Sequence, residues 1–396
     1  MAIYLVLYIA AFMGYAAHAN ASKRKRFRYV VVLFGLLTLV AAIRNHTVGI
    51  DLILFYGKYY PQFASVPWNK IQTVTMSGDW ELGFCALNKL LAMITPNFQM
   101  FIFVTSILTV VPYGVFIYKN SEDVVFSTVM YIGFHIFSQT LNIVRQCIAI
   151  GIILLGLEAL KQKKYIKFSI YVVIASFFHT SAIIAFVYLI FERLKFKKYT
   201  FYLLAIVTVL FAIGYRFLFE KLLLYTGLSS MYGIYSSTMG RGDSGYVTFN
   251  SLGMFSIALL IFVLGCIFLN GNTSQTPIEV MSLVKKRYDF SKGVIRIHRN
   301  VCEYIYWPES LLMYAVYMSV LFRFAAFIIN VTSRLALYFF PFLVISIPHT
   351  CSKAKASDKK IIYGIMYMVL TVYFLVIGFA KAESMWGTVP YKFFWE

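Results

Sequence analysis

Charge is scarce in this 396-residue chain: only 13% of the residues are charged, while 60% are hydrophobic. Soluble domains usually contain about 25% charged and about 45–50% apolar residues. A chain with so little charge cannot cover a soluble surface, which excludes a soluble enzyme, a disordered protein and a nucleic-acid-binding domain as interpretations of the whole sequence. Common motifs for nucleotide binding and hydrolysis are also missing, namely Walker A, the Rossmann glycine fingerprint, G-x-S-x-G and H-E-x-x-H.

Cysteine and acidic residues are few as well. The five cysteines form no C-x-x-C pair and show no His/Cys spacing suited to a metal, so we interpret them as thiols packed in a membrane. Only 16 Asp and Glu stand against 36 Lys and Arg, a net charge of +20. Most basic residues lie in short loops between apolar runs, which is typical of membrane topology rather than of nucleic-acid binding.

What the chain does contain is a series of long apolar runs. Runs of this kind span a bilayer as helices, and an aromatic content of 18% supplies side chains suited to membrane interfaces. The sequence predicts an all-α polytopic membrane bundle of about 10–12 transmembrane helices, in a single membrane domain covering residues 1–396. The ten predicted spans are 2–19, 29–43, 98–118, 124–140, 147–160, 200–219, 251–269, 311–329, 335–349 and 361–380.

Two further apolar stretches, 82–96 and 168–191, are ambiguous. Basic clusters lie directly before and after 168–191, and the positive-inside rule places both clusters in the cytoplasm. This conflict is resolved if 168–191 is a re-entrant hairpin whose polar tip, around His179, lies inside the protein or in a wet cavity. In that arrangement 82–96 does not cross the membrane either. In the alternative arrangement both stretches cross.

The remaining topology follows from the first loop. Basic residues at 23–28 follow the first apolar run instead of preceding it, which predicts an uncleaved span with the N-terminus outside. Residues 44–97 and 220–250 then form outer-face segments, and 270–310 forms a cytoplasmic loop.

Four arginines lie at the outer edges of predicted spans, against the positive-inside bias: Arg44, Arg145, Arg323 and Arg334. For each one alone, a snorkelling or ion-paired anchor is the alternative to a functional role. Because charges at such boundaries are costly, their gathering on one face favours a function. A guanidinium is a permanently charged fork that matches phosphate oxygens, so we expect an anionic substrate such as a lipid pyrophosphate.

His179 lies at the predicted hairpin tip beside Thr180 and Ser181. Neutral imidazole accepts a proton from a hydroxyl near pH 7, which favours a general base, with a packing role as the alternative. Asp51 and Glu81 are its acidic counterparts in the first outer segment. Either one can orient a sugar hydroxyl, pair with an arginine or act as the base.

Five segments of the chain resemble motifs of the EpsG family, and they occur in the family's order between residues 43 and 340. One departure is Ile50, where the family usually has Thr before the Asp. The segments are IRNHTVGID at 43–51, followed by Tyr56; WELGF at 80–84; NIVRQCIA at 142–149; FHTSA at 178–182; and TSRLALYF at 332–339.

This resemblance implies a Wzy-like polysaccharide polymerase of the bacterial cytoplasmic membrane, with its active face periplasmic or extracellular. Such proteins join undecaprenyl-pyrophosphate-linked repeat units of O-antigen, capsule or exopolysaccharide. A hydroxyl of one unit attacks the anomeric carbon of another, and undecaprenyl pyrophosphate leaves. No cofactor or metal is required, because arginines neutralise the leaving group. Membrane lipid surrounds such a protein, and a chain-length regulator protein is an expected partner.

The resemblance also implies roles for individual residues. His179, Asp51 and Glu81 form the expected catalytic group, with His179 as the base and the two carboxylates positioning the sugar. The expected pyrophosphate-binding residues are Arg145, Arg334 and Arg44, and the expected substrate-positioning residues are Gln146, Ser181 and Tyr56.

Three other functions remain open. A flippase or transporter of lipid-linked oligosaccharide predicts inverted repeats and charges along a path through the whole membrane, and neither is visible in the sequence. An O-antigen ligase shares outer-face His/Arg chemistry but transfers the glycan to lipid A core. A structural component of an export complex needs no catalysis.

Overall fold

The structure is a computed structural model that describes residues 1–75, 80–196, 198–226, 248–269, 309–380 and 387–396. Within these ranges the regular structure is helical, apart from one isolated β-bridge between Arg44 and Phe393. Short 3₁₀ and π turns connect several helices. Apart from the single α-helical turn Gly57–Tyr59, the α-helices are α1 Ala2–Ala16, α2 Lys23–Ala42, α3 Leu82–Ile94, α4 Phe98–Asn120, α5 Val124–Gly133, α6 Ile136–Thr140, α7 Val144–Lys161, α8 Tyr165–Ser176, α9 Val187–Phe191, α10 Lys198–Thr226, α11 Phe249–Leu269, α12 Glu309–Ala325, α13 Ser333–Ala336, α14 Phe340–Lys353 and α15 Ala356–Leu375.

Polar side chains begin three of the long helices. Ser22 caps α2, Asn97 caps α4 and Asp123 caps α5, each by accepting a bond from a backbone N–H in the first turn at 3.2, 2.9 and 2.9 Å. Such caps satisfy donors that have no partner within the helix. These three residues therefore fix where the apolar runs start as helices.

The bundle has a buried centre and an apolar exterior. Every residue of α5 is buried, and so are residues 340–351 of α14, which is typical of helices enclosed by others on all sides. On α10, in contrast, large apolar side chains face outwards, with Ile213 78% exposed. An apolar exterior of this kind suits lipid rather than water.

Three helical segments are long and apolar enough to cross a membrane, and a bent pair makes a fourth. The three are α4, Asn250–Phe268 and Ala356–Phe379, while Asn330–Ala336 and Phe340–Lys353 meet at 53°. Each of the ten predicted spans coincides with one helix or with a broken pair of helices. The prediction of an all-α polytopic membrane protein is confirmed.

Two predicted loops fall largely outside the described residues. Of the predicted outer segment 220–250, residues 220–226 extend α10 and residues 249–250 begin α11. Residues 227–247 and 270–308 are not described, so the cytoplasmic loop predicted at 270–310 stays a prediction except for Glu309 and Ser310, which begin α12.

The ambiguous stretch 168–191 is folded as a hairpin. Helix α8 ends at Ser176, and a 3₁₀ turn, Thr180–Phe186, leads back into α9. The first and last residues of the hairpin lie close together. The Tyr165 hydroxyl donates to Glu192 at 2.9 Å, and the Arg193 guanidinium lies 5.1 Å from the Tyr165 ring centre. The basic clusters on either side of the stretch therefore lie at the same end, as the hairpin prediction requires.

The other described basic clusters share that end of the bundle. Residues 23–28, 161–167 and 353–360 lie there, around the short connection between α4 and α5. This one-sided distribution matches what the positive-inside rule requires of a cytoplasmic face. The contacts are Asn20 with Asp123, Arg26 with the Ser121 carbonyl, Tyr363 with Asp123, and Lys161 with the charge of Glu122.

The opposite end is closed by a C-terminal strap, residues 387–396. The strap pairs with the loop after α2: Asn45 N–H donates to the Lys392 carbonyl at 2.9 Å, and Gly49 N–H donates to the Gly387 carbonyl at 2.8 Å. Gly49 has φ +113°, and a Cβ there would lie 2.7 Å from the Leu141 carbonyl oxygen, so this turn needs glycine. The Tyr4 hydroxyl also donates to the Thr388 carbonyl at 2.9 Å.

Candidate active site

The site is assembled where the hairpin tip meets the start of α3. The Gly83 N–H donates to the carbonyl of Phe177 at 2.8 Å, so the first turn of α3 holds the backbone of the tip. A Cβ on Gly83 would lie 2.8 Å from that same oxygen, which makes glycine necessary for the close approach. This contact brings Glu81, the N-cap residue of α3, next to His179.

Glu81 is the centre of the resulting cluster. One carboxylate oxygen lies 2.9 Å from Nδ1 of His179 and also accepts the Thr180 N–H at 3.1 Å. The other accepts from the Arg145 guanidinium at 2.9 Å. Burial raises the pKa of the Glu81 carboxyl, but the hydrogen bond from His179 and the charge of Arg145 outweigh it and lower the pKa to about 2. Glu81 is therefore an ionised acceptor, and we call Glu81, Arg145 and His179 the Glu81 cluster.

Because Glu81 is ionised, the proton between it and His179 belongs on Nδ1 of the imidazole. In neutral histidine a proton on Nδ1 leaves Nε2 as the acceptor. Nε2 makes no hydrogen bond to any residue that the structure describes, and the His179 side chain is 13% exposed. The cluster thus presents one basic nitrogen in a fixed orientation.

Arg145 lies in the first turn of α7 and is held by aromatic residues. Its guanidinium hydrogen-bonds with the Tyr56 side chain and lies 5.8 Å from the centre of the Trp80 ring. Tyr56 and Trp80 pack edge to face, with ring centres 5.3 Å apart. This packing aims the guanidinium at Glu81 and limits its freedom to turn elsewhere.

Asp51 is close enough to both the Glu81 cluster and Arg334 for their charges to act on its carboxyl. Its backbone N–H donates to the Asn142 side chain at 2.9 Å, which fixes the end of the loop that carries it. Burial raises the pKa of the Asp51 carboxyl, while the charges of Arg334, Arg145 and His179 act to lower it. Unlike Glu81, its carboxylate makes no hydrogen bond within the described part of the chain. Asp51 is thus a carboxylate open to a ligand.

A cavity of about 210 Å³ adjoins Asp51, and we call it the arginine cavity. Asn142, whose side chain fixes Asp51, forms part of its wall. Its other walls come from α6, the end of α12 and the turn that leads into α13. The lining residues are Gln139, Asn142, Ile143, Arg323, Ile329, Asn330, Val331, Ser333, Arg334 and Leu337.

Most of the site residues predicted from the sequence come together here. Glu81, Arg145 and His179 are in direct contact, and Asp51 faces Arg334. Gln146 and Ser181 take part through protein contacts: Gln146 donates to the Arg334 carbonyl at 2.6 Å, and the hydroxyls of Ser181 and Tyr338 lie 2.9 Å apart.

Two of the predicted residues are buried and bond to other residues of the protein. Arg44 is only 1% exposed and donates to the Ala41 carbonyl, to Ser106 Oγ at 2.9 Å and to the Leu141 carbonyl at 3.4 Å. It is not among the residues that line the cavity, and its guanidinium is held by these bonds to the protein, so its expected contact with pyrophosphate stays a prediction. Tyr56 is 2% exposed and supports Arg145.

Three residues at the site have no role predicted from the sequence. Asn142 and Tyr338 lie inside recognised motifs, two or more positions from the arginines that drew attention, and Trp80 directly precedes Glu81. Arg323 is one of the four outer-edge arginines for which the sequence predicts an anionic ligand, but it is absent from the residues expected to bind the pyrophosphate; it lines the cavity with Arg334.

The fold and site define an all-α, polytopic membrane protein with polar residues gathered at one end of the bundle. A family model for the EpsG family matches residues 27–393, nearly the whole chain. The chain belongs to the EpsG family, whose members are Wzy-like polymerases, and this membership indicates an exopolysaccharide or O-antigen polymerase-like role. No curated protein and no solved structure gives a significant match.

Proposed function

We propose that this protein is a membrane glycosyltransferase that polymerises undecaprenyl-pyrophosphate-linked repeat units. The observation that carries the proposal is the Glu81 cluster, in which one carboxylate orients an imidazole and a guanidinium through two contacts of 2.9 Å. This arrangement places a base beside a cation, and glycosyl transfer from a pyrophosphate needs both.

In the proposed reaction a sugar hydroxyl of the acceptor unit donates its proton to Nε2 of His179. The hydroxyl oxygen attacks the anomeric carbon of the donor glycan, and the new glycosidic bond forms as the bond from that carbon to the pyrophosphate oxygen breaks. Undecaprenyl pyrophosphate leaves with the electron pair. Glu81 holds the imidazole in the required tautomer and stabilises the imidazolium that forms.

Arg145 and Arg334 would stabilise charge on opposite sides of the reacting centre. Arg145 is already paired with Glu81, so its remaining N–H groups serve to orient the ligand more than to neutralise it. Arg334 is exposed and faces Asp51, which places it where a departing pyrophosphate can reach it. The Asp51 carboxylate, which has no hydrogen-bond donor among the described residues, would accept a hydrogen bond from a sugar hydroxyl.

We place this site at the outer, periplasmic or extracellular face of the bacterial cytoplasmic membrane. The support is the separation of charges: the described basic clusters share the opposite end, which the positive-inside rule assigns to the cytoplasm. Single cysteines replacing Lys163 and Lys195 should then resist an impermeant thiol reagent in intact cells. Labelling of either one would refute this orientation.

Reconstitution with lipid-linked repeat units tests the function directly. Purified protein in liposomes, supplied with one undecaprenyl-pyrophosphate-linked repeat, should yield two-unit and longer products and release undecaprenyl pyrophosphate. The His179→Ala variant is the matched control. Movement of the substrate between leaflets without chain growth would indicate a flippase, and transfer only to lipid A core would indicate a ligase; either result overturns the proposal.

A further inference from the structure

The arginine cavity contains two guanidinium groups that form no salt bridge with a described residue, although the charge of Arg334 acts on nearby Asp51. Arg323 and Arg334 both line it, and neither guanidinium forms a hydrogen bond or ion pair with a residue described by the structure. Arg323 is only 6% exposed, and its Nε is buried without a partner. An unpaired buried charge is costly, so it is retained where something else repays the loss of hydration.

The walls supply further donors of the same polarity. The Gln139 side chain is 2% exposed, and its amide nitrogen, Nε2, is buried without a hydrogen-bond partner. Asn142 and Asn330 add amide groups, and Ser333 adds a hydroxyl. Two guanidinium groups and several amide and hydroxyl groups, with no carboxylate among the lining residues, describe a site that suits an anion, because buried polar groups are normally satisfied.

A purely structural role for Arg323 does not account for these observations. Its guanidinium lies 4.7 Å from the centre of the Phe340 ring, so a cation–π contact holds it in place. That contact is not a hydrogen bond, and no described residue supplies a hydrogen-bond acceptor for Nε of the guanidinium. Arg44 shows what a structural arginine looks like in this fold, since its N–H groups bind two carbonyls and a hydroxyl.

We propose that the arginine cavity binds a diphosphate group, with Arg323 as the inner ligand and Arg334 as the outer one. Each guanidinium offers a fork that matches two oxygens of one phosphoryl group, so two forks fit two linked phosphoryl groups. The volume of about 210 Å³ is several times the ~30 Å³ that one water occupies in the liquid, which leaves room for such a ligand.

This inference rests on the proposed function for its biological ligand, the pyrophosphate of the lipid-linked glycan. It divides two roles that the sequence predicts jointly for the outer-edge arginines. Arg323 and Arg334 would neutralise the diphosphate, while Arg145 would orient His179 and the sugar through Glu81. Asn142 connects the two places, because it lines the cavity and fixes Asp51.

Thermal unfolding of the purified protein in detergent tests the site without requiring polymerisation. Inorganic pyrophosphate should raise the unfolding temperature of the wild type in a concentration-dependent manner, and inorganic phosphate should do so only at higher concentration. Arg323→Met should weaken pyrophosphate binding by about 10- to 100-fold. Arg28→Met, at the opposite end, is the charge-matched control and should bind as the wild type does.

The same experiment separates a ligand role from a structural role. Removing a buried, unpaired charge relieves its desolvation, so ligand-free Arg323→Met should unfold at the wild-type temperature or above it. Arg323→Lys keeps a cation near Phe340 but loses the fork, so it should fold normally and still bind more weakly. Unchanged affinity in both variants, or no binding to the wild type, would overturn the proposal.

A soluble prenyl diphosphate distinguishes the two sources of the ligand. Tighter binding than inorganic pyrophosphate, lost in Arg323→Met, would support a lipid-linked ligand; equal binding would support a site for the free anion. Polymer formation is scored separately. If the wild type binds diphosphate but makes no polymer, the proposed site stands and the polymerase function is refuted. If the wild type makes polymer but does not bind diphosphate, only the proposed site is refuted.

Discussion

The Glu81 cluster and the arginine cavity differ in whether their charged side chains form salt bridges. In the cluster, one carboxylate contacts both a guanidinium and an imidazole at 2.9 Å. In the cavity two arginines and a buried amide lack such partners among the described residues. Paired charges hold each other in a fixed orientation, whereas unpaired ones are available to a ligand. The comparison assigns orientation to the cluster and ligand binding to the cavity.

His179 is where we expect the largest effect. His179→Ala should reduce polymerisation by about 10²- to 10⁴-fold if the imidazole takes the proton. His179→Gln keeps a hydrogen bond to Glu81 but cannot accept a proton, so it should be as inactive as alanine. Polymer length on gels, at matched protein levels in the membrane, is the measurement. Long polymer from the Gln variant would reduce His179 to a positioning residue.

Glu81→Gln breaks the pairing within the cluster. Arg145 then loses its counter-charge and His179 loses the acceptor that fixes its tautomer, so activity should fall on the order of 10²-fold or more. The combined Glu81→Gln, Arg145→Gln variant should recover part of the lost stability but none of the activity. A double-mutant cycle on unfolding free energy should give a coupling of about 0.5–3 kcal/mol. Zero coupling would contradict the paired description.

The pH dependence of stability tests whether Glu81 is ionised and paired in the folded protein. The pKa of Glu81 is about 2 in the fold and about 4.3 in an unfolded chain, so protonation favours unfolding. The stability that Glu81 contributes should be fully present above pH ~4.3 and should disappear as the pH falls through about 2. The difference in unfolding free energy between wild type and Glu81→Gln should therefore stay constant from pH 8 to pH 5 and shrink below that.

Arg334→Ala tests the cavity side of the comparison. Loss of a charge-assisted phosphate contact costs about 2–4 kcal/mol, or roughly 30- to 1000-fold in rate. Arg334→Lys should rescue poorly because lysine cannot form a fork. The expected defect is in diphosphate binding and rate together, with little change in unfolding temperature, since Arg334 is exposed. A normal rate in the Ala variant would remove Arg334 from the mechanism.

Arg44→Lys should have the smallest effect on chemistry and a clear effect on folding. Lysine cannot bind Ser106 and two carbonyls at once, so the loop after α2 should loosen. We expect an unfolding temperature lowered by a few degrees, because about 1–3 kcal/mol of buried hydrogen bonding is lost. Pyrophosphate affinity of the folded variant should equal that of the wild type. A selective loss of affinity would return Arg44 to the ligand site.

The sequence predicted those features that repeat or lie close together along the chain. The hairpin at 168–191 follows from two basic clusters on either side of one apolar stretch, and the structure confirms it through Tyr165 and Glu192. The identity of the candidate residues followed from motifs. What each candidate contacts did not, because Glu81 lies 64 residues from Arg145 and 98 from His179 in the chain.

The two buried arginines show where sequence reasoning stops. Arg44 and Arg323 both stand at the edge of an apolar run, and nothing local distinguishes them. Their difference is tertiary: the carbonyl of Leu141 and the hydroxyl of Ser106 converge on Arg44, whereas a cavity opens beside Arg323. Only packing decides which of the two has N–H groups to spare for a ligand.

The contact between Tyr4 and the strap limits the number of times that the chain can cross a membrane. Because Tyr4 near the first residue touches Thr388 near the last, both termini lie at the same end of the bundle. A chain that starts and finishes on one side crosses a membrane an even number of times. Ten crossings by the predicted spans satisfy this, and the hairpin adds none. Residues 82–96 alone would make the number odd, so we expect α3, which begins directly after Glu81, to stay on the same side of the membrane as Tyr4.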